Sequence, residues 1–172
     1  MAHELKDYIR EVPNFPKPGI LYYDITTLLK DPVGFRKAVH GMVDLVGDNK
    51  VDKIVGIESR GFILGPVVAY ELNVGFIPVR KVGKLPAETR SQSYDLEYGS
   101  DTVEIHADAV QEGDKVLILD DLIATGGTAR ATADLVSDLG GDVVAIEVLI
   151  ELIGLGGREA VGDYRLEALL QY

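Results

Sequence analysis

An α/β fold built on a mostly parallel sheet is predicted from three observations. Short aliphatic runs alternate with helical stretches along most of the chain. The run at residues 116–119, Val-Leu-Ile-Leu, is short and bulky enough to be an interior strand covered on both faces. It then passes through two carboxylates and a small-residue loop into a helix, the order of parts found at the ligand-binding edge of an open α/β sheet.

The elements follow in order. Leu5, Tyr8, Ile9 and Val12 at helical spacing predict a short amphipathic opening helix ended by Pro13. Asp31 and Pro32 form an N-cap and N1 pair, after which Phe35, Ala38, Val39, Met42, Val43 and Val46 line one helical face. Strands are expected at 53–57, 76–79, 116–119 and 143–152, with helices over 62–72 and from Ala129 onward, joined by right-handed crossovers. Residues 165–172 read as a short edge strand. Only residues 81–101 break the pattern. They are polar, hold Gly83, Pro86 and Gly99 and keep no sustained period, which suggests a lid, with a hairpin to residues 102–106.

Composition narrows the function. A chain of 172 residues suits one domain with a sizeable core, and 47% hydrophobic with 26% charged residues is ordinary globular material. Its apolar runs fall far short of the roughly 18 residues a membrane span requires, and no basic leader with an apolar stretch opens it, so a cytoplasmic protein is expected. The absence of cysteine excludes disulfides, thiolate nucleophiles and thiolate metal sites. A formal net charge of −11 argues against broad nucleic-acid or anionic-membrane binding. Local basicity opposes that sign, with Arg80, Lys81 and Lys84 grouped and Arg60 and Arg90 isolated.

At the end of the 116–119 strand, Asp120 and Asp121 would offer acceptors to two sugar hydroxyls. Ala124, Thr125, Gly126, Gly127 and Thr128 carry little bulk, so successive backbone N–H groups can converge on a phosphate above a helix N-terminus. The loop lacks the Gly-Lys-Ser/Thr ending of a nucleotide triphosphatase, and no Gly-x-Gly-x-x-Gly marks a dinucleotide fold. A second loop, Glu58-Ser59-Arg60-Gly61, also lies between a strand and a helix and can hold an anion.

Residues 116–128 resemble the diphosphoribosyl-binding signature of type I phosphoribosyltransferases, and Leu122, Ile123 and Ala124 resemble its adenine-specific branch. Segments 15–24, 58–62, 80–86 and 94–99 match that family in the same order. The resemblance implies one phosphoribosyltransferase domain over 1–172: a mostly parallel central sheet flanked by helices, with a small N-terminal hood at about 1–30 and a flexible lid at about 81–101. It implies that Asp120 and Asp121 hold ribose, that residues 124–128 hold the 5′-phosphate, and that Glu58, Ser59, Arg60, Arg80, Lys81 and Lys84 surround pyrophosphate. It places adenine against main-chain groups near Leu21 and Tyr23 and the apolar face of Ile123, assigns proton transfer to Glu97 and sets Tyr98 in the lid. Mg²⁺ held through substrate oxygens and a homodimer are implied as well. Many relatives carry Phe-Arg where this chain has Tyr22-Tyr23, which leaves backbone contacts to the base standing and removes a guanidinium. Ala124 replaces the Asp that phosphoribosyltransferases for 6-oxopurines tend to carry, so the reading is transfer to adenine. The alternatives are a hypoxanthine or guanine enzyme of the same class and a non-enzymatic sensor of phosphoribosyl diphosphate.

Overall fold

Seven strands form one sheet in the order β5-β6-β4-β3-β7-β8-β9, in a computed structural model that describes residues 2–95 and 99–172. The central strands β3 (Lys53–Ile57), β4 (Gly75–Lys81), β7 (Lys115–Ile123), β8 (Asp142–Glu151) and β9 (Leu166–Gln171) are parallel. Strands β5 (Thr89–Asp95) and β6 (Ser100–His106) extend one edge as an antiparallel arm. Chain order reverses between β3 and β7, and ligand crevices open at such a switch point beyond the carboxyl ends of the strands.

Side chains of a strand leave on alternate faces, and both faces here are apolar. Val55, Ile57, Val116 and Ile118 pack beneath α5 (Gly127–Asp138), whereas Ile54, Leu117 and Leu119 pack beneath α3 (Pro32–Val46) and α4 (Gly61–Leu72). Helix α3 begins as expected, with the Asp31 carboxylate accepting from the N–H groups of Val33 (2.9 Å) and Gly34 (2.8 Å). Helix α4 ends at Asn73, which takes a left-handed conformation at φ 56°.

Several expectations are corrected. The opening helix α1 is only Ala2–Lys6; residues predicted to continue it form β1 (Arg10–Pro13), paired antiparallel with β2 (Leu21–Asp24) in a separate two-stranded sheet. Leu5 and Ile9 are buried at helical spacing, but pairing with β2 claims the backbone from Arg10 onward. A single turn, α2 (Thr26–Leu29), and α6 (Gly157–Val161) have no strong sequence period and were not expected. Strand β7 runs on through Ile123, so the two carboxylates lie within it rather than after it. By contrast, the hairpin expected with residues 102–106 is present: β5 pairs with β6 in register from Thr89↔His106 to Asp95↔Ser100. Its β5 side chains are mostly exposed, which hid the strand period.

Candidate active site

The loop leaving β7 supplies the first half of the site. Gly126 caps α5 at φ 82°, a conformation that glycine adopts without penalty, and it turns the chain so that the first N–H groups of the helix face outward. A side chain there would also collide with the fold, since a Cβ would lie 2.6 Å from the Gly157 carbonyl oxygen and 2.9 Å from Ala160. Helix α6 is thus pressed against the back of the loop. In front lies a cavity of about 160 Å³ lined by Asp120, Ile123, Ala124, Thr125, Gly126, Gly127 and Thr128 among others. Small side chains, free helix N–H groups and two hydroxyls suit a phosphate monoester.

Asp120 and Asp121 diverge, as neighbours in an extended strand must. Asp120 faces the cavity, and its Oδ1 accepts from the Asp121 N–H at 2.8 Å. Burial first, and the adjacent Asp121 charge second, push the Asp120 carboxyl well above the usual carboxylate range. Asp121 is buried and its Oδ2 meets Arg60 Nε at 2.6 Å.

Arg60 belongs to the second half, the turn from β3 to α4. The Glu58-Ser59 peptide is cis, and Arg60 is the N-cap residue of α4. Its guanidinium is clamped on two sides, by Asp121 and by the Tyr22 hydroxyl, which accepts from Nη1 at 2.5 Å. The Tyr22 hydroxyl therefore ties the small β1–β2 sheet to the turn. Gly61 follows because a Cβ there would come within 2.9 Å of the Leu119 carbonyl oxygen and 3.2 Å of Asp120 Oδ1.

Glu58 does not cap the helix. It points toward the end of β4, accepting from Arg80 Nε at 3.2 Å, Arg80 Nη2 at 3.3 Å, the Lys81 N–H at 3.2 Å and Lys84 Nζ. Burial opposes its charge, but Lys84 and Arg80 outweigh that and hold its carboxyl at about 2. Lys81 pairs with Asp101 at 2.5 Å, and the Tyr94 hydroxyl reaches the same carboxylate at 3.3 Å. Glu58, Arg80, Lys81 and Tyr94 border a second cavity of about 180 Å³, and Asp120 and Thr128 line both cavities. The hairpin closes the roof: the Tyr94 ring lies 3.0 Å from where a Cβ on Gly127 would stand.

The structure thus gathers Glu58, Ser59, Arg60, Arg80, Lys81 and Lys84 with Asp120, Asp121 and residues 124–128 at one end of the sheet. Ile123 is buried and lines the first cavity. Leu21 is exposed on β2, while the Tyr23 ring packs on Tyr172 with centroids 4.0 Å apart, so its side chain is engaged away from the turn. Glu97 and Tyr98 lie outside the described residues. Sequence reasoning missed Tyr94, Asp101 and the Tyr22 hydroxyl, whose partners are 7 to 38 positions away and leave no local pattern.

A model of the phosphoribosyl transferase domain matches residues 25–166, which span both anion loops and the basic end of β4. The adenine phosphoribosyltransferase of Parvibaculum lavamentivorans is 58% identical over 96% of this chain and 92% of its own length. That of Solibacter usitatus is 57% identical over 98% of each.

The chain belongs to the adenine phosphoribosyltransferase family.

The fold agrees with that membership. The crystal structure of the family's enzyme from Thermoanaerobacter pseudethanolicus superposes with a TM-score of 0.97 at 49% identity over the whole of both chains. A Saccharomyces cerevisiae member, crystallised with an imino-altritol bisphosphate and adenine, gives 0.93 at 42% identity over 98% of each chain. Among the described residues no helix is long and apolar enough to cross a membrane.

Proposed function

We infer that this chain transfers the phosphoribosyl group of 5-phospho-α-D-ribose 1-diphosphate to adenine, giving AMP and pyrophosphate. The observation that carries the reading is the pair of anion-receptive loops at the switch point of the sheet, whose two cavities share Asp120 and Thr128. A ligand with a phosphate monoester at one end and a diphosphate at the other, joined by a polyhydroxylated ring, matches that layout.

The reaction is a substitution at ribose C1: the C1–O bond to pyrophosphate breaks, the bond to the purine N9 forms, and the electron pair leaves with pyrophosphate. Positive charge builds on the ring as the leaving group departs. Residues 124–128 hold the 5′-phosphate through backbone N–H groups and the Thr125 and Thr128 hydroxyls. Asp120 faces the sugar hydroxyls, and Asp121 orients Arg60 from beneath. The Ser59 backbone, Arg60, Arg80, Lys81 and Lys84 neutralise the departing pyrophosphate, and Glu58 keeps Arg80 and Lys84 side by side. Main-chain groups near Leu21 and Tyr23, with the apolar face of Ile123, receive adenine. Glu97 takes up or delivers the purine proton, with Tyr98 beside it; support for this is the resemblance and the closeness of the flanking hairpin to the α5 N-terminus through Tyr94.

Among the described residues no cluster of three metal-ligating side chains exists. A hard ion that keeps its waters and binds mainly through substrate phosphates fits such a site, with the Asp120 carboxylate shared by both cavities as the protein group that could meet it. Mg²⁺ held there by Asp120 and substrate oxygens would supply neutralisation of the charge that develops on the departing pyrophosphate. We propose in addition a single-domain subunit that forms homodimers, an assembly suited to the exposed Ile63 and Tyr70 on α4, and that works in the cytoplasm, where its phosphorylated substrates are confined. Nucleic acid is not among its partners, in keeping with a net charge of −11.

The test is AMP formation from labelled adenine and the donor, with and without Mg²⁺, in competition with hypoxanthine and guanine. Adenine should win, because Ala124 offers no group to exchange a proton with a 6-oxopurine. Preferential incorporation of hypoxanthine or guanine would overturn the choice of base. Donor binding with no pyrophosphate release from any purine would overturn the reading as an enzyme.

A further inference from the structure

Glu104 lies on β6, the middle strand of the antiparallel arm, opposite Arg80 on one side and Ser91 on the other. Its side chain is buried, at 4% exposure, although carboxylates seldom are. No cation meets it. Instead Oε1 accepts from the backbone N–H groups of Lys84 and Leu85, each at 3.0 Å, and Oε2 takes the Thr89 hydroxyl at 3.4 Å. Burial opposes the charge, yet the N–H groups of Leu85, Gly83 and Lys84 and the Thr89 hydroxyl hold the carboxyl below its usual range.

The turn that these N–H groups come from has little else to fix it. Val82 is exposed, and so are Gly83 and Lys84, while Gly83 turns at φ 84° with open space around its Cα. Two cations depend on the path of this turn. The Lys84 side chain reaches Glu58, and its carbonyl accepts from Arg80 Nη1 at 3.3 Å. Glu104 therefore sets the backbone from which Lys84 extends and against which Arg80 rests. It lies behind Val103, which itself borders the second cavity.

We propose that Glu104 is a positioning residue for phosphoribosyl transfer: by gathering the N–H groups of residues 83–85 it presents Lys84 and Arg80 to the diphosphate of the donor. The inference rests on the reading of the second cavity as the diphosphate site. It predicts a selective defect. Removing the Glu104 charge loosens the turn and weakens the grip on the donor, while adenine, held at the other side of the ribose, is unaffected.

The test is steady-state kinetics on the full-length wild type, Glu104→Gln, Lys84→Ala and the double variant, with thermal melts alongside. Glu104→Gln should raise the donor KM by about tenfold and leave the adenine KM within about twofold, the scale of a lost charge-assisted contact. In the Lys84→Ala background the same change should add only about twofold, because coupled residues are not additive. An equal rise in both backgrounds, an equal rise in both KM values, or no rise would overturn the proposal, as would an unchanged donor KM for Lys84→Ala. If Glu104→Gln does not fold, Thr89→Val removes one donor to the carboxylate and should give a donor-selective rise of about two- to threefold; its absence overturns the proposal equally. Failure of the wild type to make AMP would instead overturn the reading on which it rests.

Discussion

Glu147 should make the protein less stable as pH rises through neutrality. It lies in β8 between Leu119 on β7 and Glu167 on β9, is 1% exposed, and its Oε2 has no hydrogen-bond partner among the described residues. Arg165, the nearest candidate cation, gives its Nε to Glu167 at 2.8 Å instead. Burial first and the Glu167 charge second push the Glu147 carboxyl from 4.5 up to about 8, with Arg165 opposing. Below about pH 4.5 the group is protonated in both the folded and the unfolded chain and costs nothing. Between there and about pH 8 the unfolded chain loses the proton and the folded chain keeps it, so stability falls steadily. At pH 7 the interval is about 2.5 pH units, and at roughly 1.4 kcal/mol per unit the cost is on the order of 3 kcal/mol. Glu147→Gln keeps the shape and removes the titration. Urea unfolding of both proteins should therefore give nearly equal stabilities at about pH 5 and a Gln variant more stable by on the order of 3 kcal/mol at about pH 7. A stability difference that does not change between those two pH values would refute the assignment of a proton to Glu147.

Three further outcomes are expected. Tyr22→Phe removes the hydroxyl that accepts from Arg60, and because that guanidinium is partly solvated the loss should be on the order of 1 kcal/mol, a roughly fivefold rise in donor KM; a change under about twofold would show that Asp121 alone orients Arg60. Gly126→Ala forces a side chain into a left-handed cap and onto Gly157, which should cost more than about 2 kcal/mol. It should lower the melting temperature by several degrees and abolish donor binding by calorimetry, and a variant that binds the donor normally would show that the loop tolerates rearrangement. Glu97→Gln should lower kcat by about a hundredfold with little effect on the KM of either substrate; unchanged turnover removes Glu97 from the proton-transfer role.

The parallel sheet was legible because its strands are buried on both faces and announce themselves as aliphatic runs; β3 falls on the residues expected of it. Asp31-Pro32 marked the start of α3 by local chemistry alone, and the small residues before α5 marked the turn from β7 into that helix. What was not legible depends on contacts between distant segments. The arm β5–β6 was legible as a hairpin to residues 102–106, but not in its bounds: β5 is held by backbone pairing while its side chains stay mostly in solvent, so no apolar period marks where it starts and ends. The opposite facing of Asp120 and Asp121 followed from a strand that continues four residues beyond its aliphatic run, a boundary set by pairing with β8. By resemblance Glu58 is one of several residues around an anion, whereas its carboxylate is the hub for Arg80 and Lys84, brought to it by the parallel pairing of β3 and β4.

Each cation proposed to meet the diphosphate already has an intramolecular counterion: Arg60 has Asp121, Arg80 and Lys84 share Glu58, and Lys81 has Asp101. An empty cleft wired in this way projects little positive potential into solution, and a protein of net charge −11 adds a repulsive background. A small anion such as inorganic phosphate or sulfate would have to break an ion pair on entering and would satisfy only one of the two cavities. On the proposed reading of the site, a ligand that fills both cavities at once recovers those losses, so the paired charges would select against small anions rather than attract them.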